Sequence, residues 1–224
     1  ALIHAVISNQ AHLGIALDGD ADRVVMVDEQ GALVDGDEIL YIIAASRHRR
    51  GHMEGGVVGT LMTNLGLEEA LAAMKIPMVR TKVGDRYIIE AMEQNKWTLG
   101  GETSGHIICS DLISTGDGLV AALQVVTALR ISGQTLSEAR HGMNKYPQFL
   151  INGPQALPDH LHHPIVVDAV EAVEAAMGDS GRVIIRPSGT EPVVRVMVEG
   201  LEATQVKASA EQIASAVEKA ASIS

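Results

Sequence analysis

The sequence predicts an α/β fold: a mixed α/β sheet domain followed by a small α+β carboxyl-terminal domain. Three observations carry this. Short apolar runs of strand type alternate with longer helical stretches through roughly the first 145 residues, a pattern that lays helices over a largely parallel sheet. The pattern then breaks around Lys145-Tyr-Pro-Gln148, and Pro147, Pro154, Pro158 and Pro164 follow closely, as in a linker. Beyond it, helix, two strands and helix succeed one another. The 224 residues are enough for one large domain or two small ones.

In chain order, Ala1–Ile7 reads as the end of a helix with neither Met nor a cap before it, as if cut from a longer chain. Leu13–Leu17 and Val24–Val27 read as strands, and Ala32–Val34 returns after a turn at Glu29-Gln-Gly31. Asp35-Gly-Asp37 has the look of a second acidic loop but reads better as a helix start, with Asp37 capping Glu38–Ala45. Arg47-His-Arg-Arg50 closes that helix at the negative end of its dipole. Gly56–Thr60 is a strand, Asn64–Lys75 a helix, Met78–Thr81 a strand, Tyr87–Asn95 a helix and Thr98-Leu99 a short strand. A long apolar helix covers Leu119–Ile131. In the last domain Val166–Met177 is a helix, Arg182–Arg186 and Val193–Val198 are strands, and Ala203–Ser222 is an amphipathic helix.

Bulk properties exclude several classes. With 17 basic against 28 acidic residues, net charge −11, the chain lacks the basic surface that nucleic acid requires. A small anionic substrate needs only a local arginine cluster and stays open. No apolar run approaches the roughly 18 residues of a membrane span, so no membrane partner is expected. The single Cys109 excludes a disulfide framework within the chain and fits a reducing compartment; cytoplasmic placement is the default. His160, His162 and His163, between prolines and without a nearby Cys, read as a polar loop rather than a metal site.

Chemistry concentrates in the loops. Asp18-Gly-Asp-Ala-Asp-Arg23 joins two strands and brings three carboxylates to one point. Like charges held so close repel, and a hard cation with oxygen ligands offsets that, Mg²⁺ suiting a few carboxylates plus phosphate oxygens. Arg23 beside it suits a phosphoryl group. The spacing also matches an EF-hand, but Arg23 occupies the position that needs Gly, and the flanks are strands, so that reading fails. In Arg186-Pro-Ser-Gly-Thr-Glu-Pro-Val-Val-Arg195, two guanidinium forks (Arg186, Arg195), the hydroxyls of Ser188 and Thr190, and backbone N–H groups near Gly189 are what a phosphate dianion needs. Gly101-Glu-Thr-Ser-Gly105 sets Glu102 and Ser104 on one face between glycines, a pair suited to sugar hydroxyls. In Lys82-Val-Gly-Asp-Arg86, Asp85 is either a helix cap or a functional group.

Together, Asp18–Arg23, Gly101-Glu-Thr-Ser-Gly-His106 and Arg186-Pro-Ser-Gly-Thr-Glu-Pro192 resemble, in order, the metal, sugar and phosphate loops of the α-D-phosphohexomutases. Lys82-Val-Gly-Asp-Arg-Tyr87, Gly59-Thr-Leu-Met-Thr-Asn64 and Tyr146-Pro-Gln148 resemble the branch that interconverts glucosamine 6-phosphate and glucosamine 1-phosphate. The resemblance covers the whole chain. It implies that residues 1–34 are the tail of a preceding, similar second domain, 35–146 the third domain and 147–224 the fourth. It further implies Mg²⁺ on Asp18, Asp20 and Asp22; sugar contacts from Glu102 and Ser104; a phosphate clamp of Arg186, Ser188, Gly189, Thr190 and Arg195; and catalytic roles for Arg23 and Asp85. The family's phosphorylated serine lies in a Ser-His-Asn-Pro loop of the first domain, and no serine here is followed by His-Asn-Pro. The resemblance therefore implies a carboxyl-terminal half whose partners are a sugar phosphate and the enzyme's amino-terminal domains, and which is inactive alone. A sheet edge near Leu13–Leu17 is expected to invite another chain, a second copy included. Phosphomannomutase or phosphoglucomutase activity is the adjacent alternative, and a non-catalytic sugar-phosphate-binding module the more distant one. The cation loop argues against the latter, since a pure binder needs no cation facing a phosphoryl donor.

Overall fold

The computed structural model describes residues 1–153, 158–187 and 193–223. They form two compact units, Ala1–Lys145 and Tyr146–Ser224.

The first unit opens with helix α1 (Leu2–Ser8) and an antiparallel sheet of β1 (Leu13–Leu17), β2 (Val24–Asp28) and β3 (Leu33–Val34), with β2 in the middle. Its alternation is imperfect because β2 is covered on both faces: Val24, Met26 and Val27 are all buried. β1 is the outer strand, and Ile15 and Leu17 on it are exposed. The pair Leu17↔Val24 closes the ladder, so the six residues Asp18–Arg23 form the connecting loop.

Helix α2 (Gly36–Arg49) follows at once. Its cap is Asp35, not the Asp37 expected from sequence: Asp35 accepts from the N–H groups of Asp37 and Glu38, and Glu38 returns a bond to the cap's own N–H. Asp37 lies inside the first turn with its carboxylate turned away to other partners. Every residue of α2 from Gly36 to Arg47 is buried, so this is the central helix of the unit rather than an amphipathic surface one. Around it stand β4 (Val57–Thr60), α3 (Leu65–Ala73), β5 (Met78–Thr81), α4 (Asp85–Asn95), β6 (Leu99–Gly101), β7 (Ile107–Cys109), α5 (Gly118–Ser132) and α6 (Leu136–Arg140). The sheet runs β5-β4-β6-β7, with the first three strands parallel and β7 antiparallel at the edge. β7 is absent from the sequence reading, which treats the residues after Gly105 as loop. Ile39, Leu40, Ile43, Leu67, Leu71 and Leu99 form the centre of the core. Leu67→Ala should cost about 2–5 kcal/mol, read as a lowered urea midpoint with unchanged slope.

The second unit is an antiparallel sheet, β8 (Gln148–Asn152), β10 (Val194–Gly200) and β9 (Gly181–Pro187) in that order, with α7 (Pro164–Met177) and α8 (Ala203–Ile223). Two strands are expected from sequence; β8 is the third, hidden because Pro147 and Pro154 flank it. His163 caps α7 by accepting from the Ile165 N–H, and a 3₁₀ turn spans Pro158–His162. No helix among the described residues is long and apolar enough to cross a membrane.

Candidate active site

The aspartate loop is tight because Ala21 adopts left-handed backbone (φ 61°) and donates its N–H back to the Asp18 carbonyl. Ligand oxygens of Asp18, Asp20 and Asp22 lie within 4.8 Å of one another. Arg23 supports the loop through its N–H, 3.2 Å from Asp18 Oδ1, while its guanidinium stays more than half exposed with Nε 3.9 Å from Asp18 Oδ2. Asp22 is held from the other side: its Oδ2 lies 3.0 Å from His106 Nδ1, and its Oδ1 is buried without a partner among the described residues. A buried carboxylate oxygen lacking a donor carries a desolvation cost that a bound cation offsets. Three convergent carboxylates with one such orphan oxygen fit a hard divalent cation.

Glu102 and Ser104 lie in the hairpin between β6 and β7, closed by Glu102 N–H to His106 O (3.0 Å) and Gly105 N–H to Glu102 O (2.9 Å). This loop docks directly on the aspartate loop. Val24 donates its N–H to Gly105 O at 3.1 Å, Arg23 and His106 form an antiparallel bridge, and Gly118 donates to Ala21 O at 2.9 Å. Gly105 is required twice over: its φ is +93°, and a Cβ there would sit 2.0 Å from Val24 O. The result is one continuous wall, with a groove of about 250 Å³ lined by Asp18, Arg23 and Ser104 among others.

Glu102 reaches further. Its Oε1 accepts from the Gly84 N–H at 2.9 Å and its Oε2 from Ser104 Oγ at 3.3 Å, which draws the Lys82–Arg86 turn to the same wall. Asp85 is exposed and is the first residue of α4. The cap position is Gly84, which makes no side-chain bond, so the capping reading of Asp85 is set aside. The Asp85 carboxylate accepts only from the adjacent Arg86 N–H among the bonds the described residues show.

In the other unit, Arg186 on β9 and Arg195 on β10 are directly opposed across the ladder, so their side chains share a face. Burial first, and the Arg195 charge second, push the Arg186 guanidinium below its ordinary value. Arg186 Nε is buried without a hydrogen bond among the described residues. Two like charges at facing positions favour an anion between them. Ser188, Gly189 and Thr190 lie outside the described residues.

Two further contacts escape sequence reasoning. One is His106 to Asp22, between residues 84 positions apart. The other is Asp37, fully buried, whose Oδ2 accepts from Asn64 N–H (3.0 Å) and from Thr103 Oγ1 (2.9 Å). Burial raises the Asp37 carboxyl from 3.8 to about 7, helped by the Asp35 charge and opposed by the Asn64 and Thr103 hydrogen bonds and by Lys145. The folded value lies above the unfolded one, so the stability this group contributes is full below pH about 4 and is lost as pH rises through about 7. Relative to Asp37→Asn, the unmodified chain should therefore lose stability between pH 4.5 and 7.5. Urea midpoints of both at pH 5 and pH 8 check this; a constant difference contradicts it.

Two family models match the chain: "Phosphoglucomutase/phosphomannomutase, alpha/beta/alpha domain III" over residues 35–146, and the C-terminal domain of the same family over 149–216. Among curated relatives, the phosphoglucosamine mutase of Nitrosococcus oceani is 54% identical over 217 residues, 96% of this chain and 48% of that protein. That of Pseudomonas aeruginosa is 56% identical over 214 residues, 95% of this chain and 48% of that protein. The chain thus spans about half the length of the curated relatives it matches. Among solved structures, Aspergillus fumigatus N-acetylphosphoglucosamine mutase in complex with GlcNAc-6P and magnesium superposes with a TM-score of 0.76 at 23% identity, over 92% of this chain and 48% of that one. A phosphoglucomutase/phosphomannomutase family protein of Burkholderia thailandensis gives 0.76 at 20% identity, over 97% and 49%. These structural likenesses speak to the fold, and the fold agrees with the family models that cover most of the chain: it belongs to the phosphoglucomutase/phosphomannomutase family.

Proposed function

We propose that this chain supplies the metal, sugar and phosphate loops of a mutase that interconverts glucosamine 6-phosphate and glucosamine 1-phosphate. The observation that carries the reading is the wall shared by the aspartate loop and the Glu102/Ser104 hairpin: the three clustered carboxylates adjoin a groove lined by Asp18, Arg23 and Ser104, and Ser104 is bonded to Glu102. The 54–56% identity to curated phosphoglucosamine mutases supports glucosamine as the sugar.

Asp18, Asp20 and Asp22 would hold Mg²⁺, which when bound neutralises charge on a transferring phosphoryl group. Arg23 adds a positive charge at the same point. Glu102 and Ser104 orient the sugar by its hydroxyls. Arg186 and Arg195, with Ser188, Gly189 and Thr190, grip the phosphate that is not being transferred. Asp85, exposed beside the Gly84 contact to Glu102, is the residue assigned to proton transfer at a sugar hydroxyl. The phosphoryl group passes from a phosphoserine to the free hydroxyl of the sugar phosphate, giving a bisphosphate. The bisphosphate then returns its other phosphoryl group to the serine. No serine here precedes His-Asn-Pro, so that phosphoserine is supplied by residues outside these 224.

A purified polypeptide of these residues should therefore show no mutase turnover, even with Mg²⁺ and a sugar bisphosphate, while still binding Mg²⁺. Catalytic conversion of glucosamine 6-phosphate by a sample free of contaminating enzyme would refute this division of labour. In a full-length enzyme carrying this sequence, Arg195→Lys keeps the charge but loses the fork, and should raise the KM for the sugar phosphate about tenfold. Unchanged KM in both Arg195→Lys and Arg186→Ala would remove the clamp from the account.

A further inference from the structure

The buried carboxylate of Asp37 has no place in the chemistry above, yet it sits behind the loop that carries Glu102 and Ser104. It is one of few fully buried charged side chains among the described residues, and α2 is already capped by Asp35, so Asp37 is not needed for that purpose. Its Oδ2 receives the Thr103 hydroxyl at 2.9 Å, and Thr103 is the residue between Glu102 and Ser104. The same oxygen receives the Asn64 N–H at 3.0 Å, which ties in the loop after β4. Thr103 Oγ1 also lies 3.4 Å from Met62 O, but a hydroxyl has one proton, and the shorter contact, to Asp37, takes it.

A second observation points the same way. Gly36, beside Asp37, donates its N–H to Thr103 O at 3.1 Å, and a Cβ on Gly36 would lie 1.9 Å from Glu102 O and 2.7 Å from Gly105 N. The first turn of α2 is thus pressed flat against the backbone of the hairpin. Thr103 is gripped at its carbonyl and at its hydroxyl. Thr103 and Ser104 are the central residues of the turn that Gly105 N–H closes on Glu102 O, so fixing Thr103 at both groups fixes the backbone that carries Glu102 and Ser104, whose side chains meet at 3.3 Å.

We infer that Asp37 is a positioning residue: through Thr103 it fixes the 102–105 loop against α2 and so aims Glu102 and Ser104 at the substrate. That role rests on the sugar-phosphate function proposed above. Asp37 itself touches no reactant. Its effect falls on the preorganisation of the loop, so loss of the tether should show in substrate binding more than in turnover.

Thr103→Val removes the hydroxyl at nearly constant shape; Thr103→Ser restores it. Hydrogen exchange in the chain itself should show Thr103→Val speeding exchange about tenfold at the amides of Gly36, Gly84 and Gly105, each of which donates to Glu102 or Thr103. Amides of β4 and α5 should keep their rates. Thr103→Ser should match the unmodified chain, and Asp37→Asn, which keeps an oxygen acceptor, should stay close to it. In a full-length enzyme, Thr103→Val should raise the KM for glucosamine 6-phosphate about tenfold with kcat within about threefold, and Thr103→Ser should rescue it. Unchanged exchange at the three glycines, uniform acceleration across the unit, or failure of Thr103→Ser to rescue would each overturn the inference. If the full-length enzyme turns over no hexose phosphate, the functional reading fails, and the exchange data still decide whether the tether exists.

Discussion

Asp20→Asn in a full-length enzyme carrying this sequence should lower kcat/KM for glucosamine 6-phosphate by about 10²–10³-fold. Asp20 is exposed and has no protein partner among the described bonds, so the substitution removes one anionic ligand and disturbs little else. Mg²⁺ affinity should fall in parallel, measured by titration on the chain itself. Circular dichroism should be unchanged and the metal-free melting temperature should not fall, because none of the hydrogen bonds that stitch the loop to its neighbours involves the Asp20 side chain and one repelling charge is removed. Full activity of the variant in Mg²⁺ would sink the metal assignment. A matched Asp22→Asn should be worse for stability than Asp20→Asn, since Asp22 is half-buried and bonded to His106.

The second large effect is expected at Gly105. Gly105→Ala must adopt φ +93° and place a Cβ 2.0 Å from the Val24 carbonyl oxygen, which is backbone and cannot swing aside. Strain at such a position costs about 1–3 kcal/mol, and the hydrogen bond from Val24 N–H to Gly105 O adds about 1 kcal/mol when the two segments part. Gly133→Ala supplies the control: its φ is +70°, but nothing lies within 4 Å of the added carbon. It should cost only the backbone term, about 1 kcal/mol. The difference between the two variants isolates the docking of the Glu102/Ser104 hairpin on the aspartate loop. Gly105→Ala should also raise the KM for sugar phosphate, whereas Gly133→Ala should leave it alone. Equal melting temperatures for the two variants would mean that the close approach carries no weight.

The fold and the site were legible in the sequence to different degrees, for physical reasons. Strand and helix patterns mark most elements, Leu13–Leu17 as a short apolar run between turn signals and Ala203–Ser222 by a period of about 3.6. β7 has only three residues and follows a glycine-rich turn, too short to show a period. β8 is masked by prolines at both ends of its neighbourhood, although Pro147 and Pro154 flank the strand without interrupting it. The cap of α2 was misread because Asp35 and Asp37 are chemically alike and two apart; only burial tells them apart. The composition of the aspartate loop speaks for itself, since three carboxylates in five residues are costly without a counter-charge. Its support does not, because His106, Gly105 and Gly118 reach it from elements some ninety residues downstream. Asp37 illustrates the same limit. From sequence it is one more acidic residue near a helix start, and its meaning comes only from the Thr103 hydroxyl beside it.

The most direct test of the central claim is steady-state turnover of a full-length enzyme carrying this sequence, primed with sugar bisphosphate in Mg²⁺, on the 6-phosphates of glucosamine, glucose and mannose. Glucosamine 6-phosphate should be converted to glucosamine 1-phosphate with kcat/KM at least about tenfold above the other two, and the activity should be abolished by chelation of the metal and restored by Mg²⁺. Equal or higher kcat/KM on glucose or mannose 6-phosphate, or turnover indifferent to chelation, would contradict the claim.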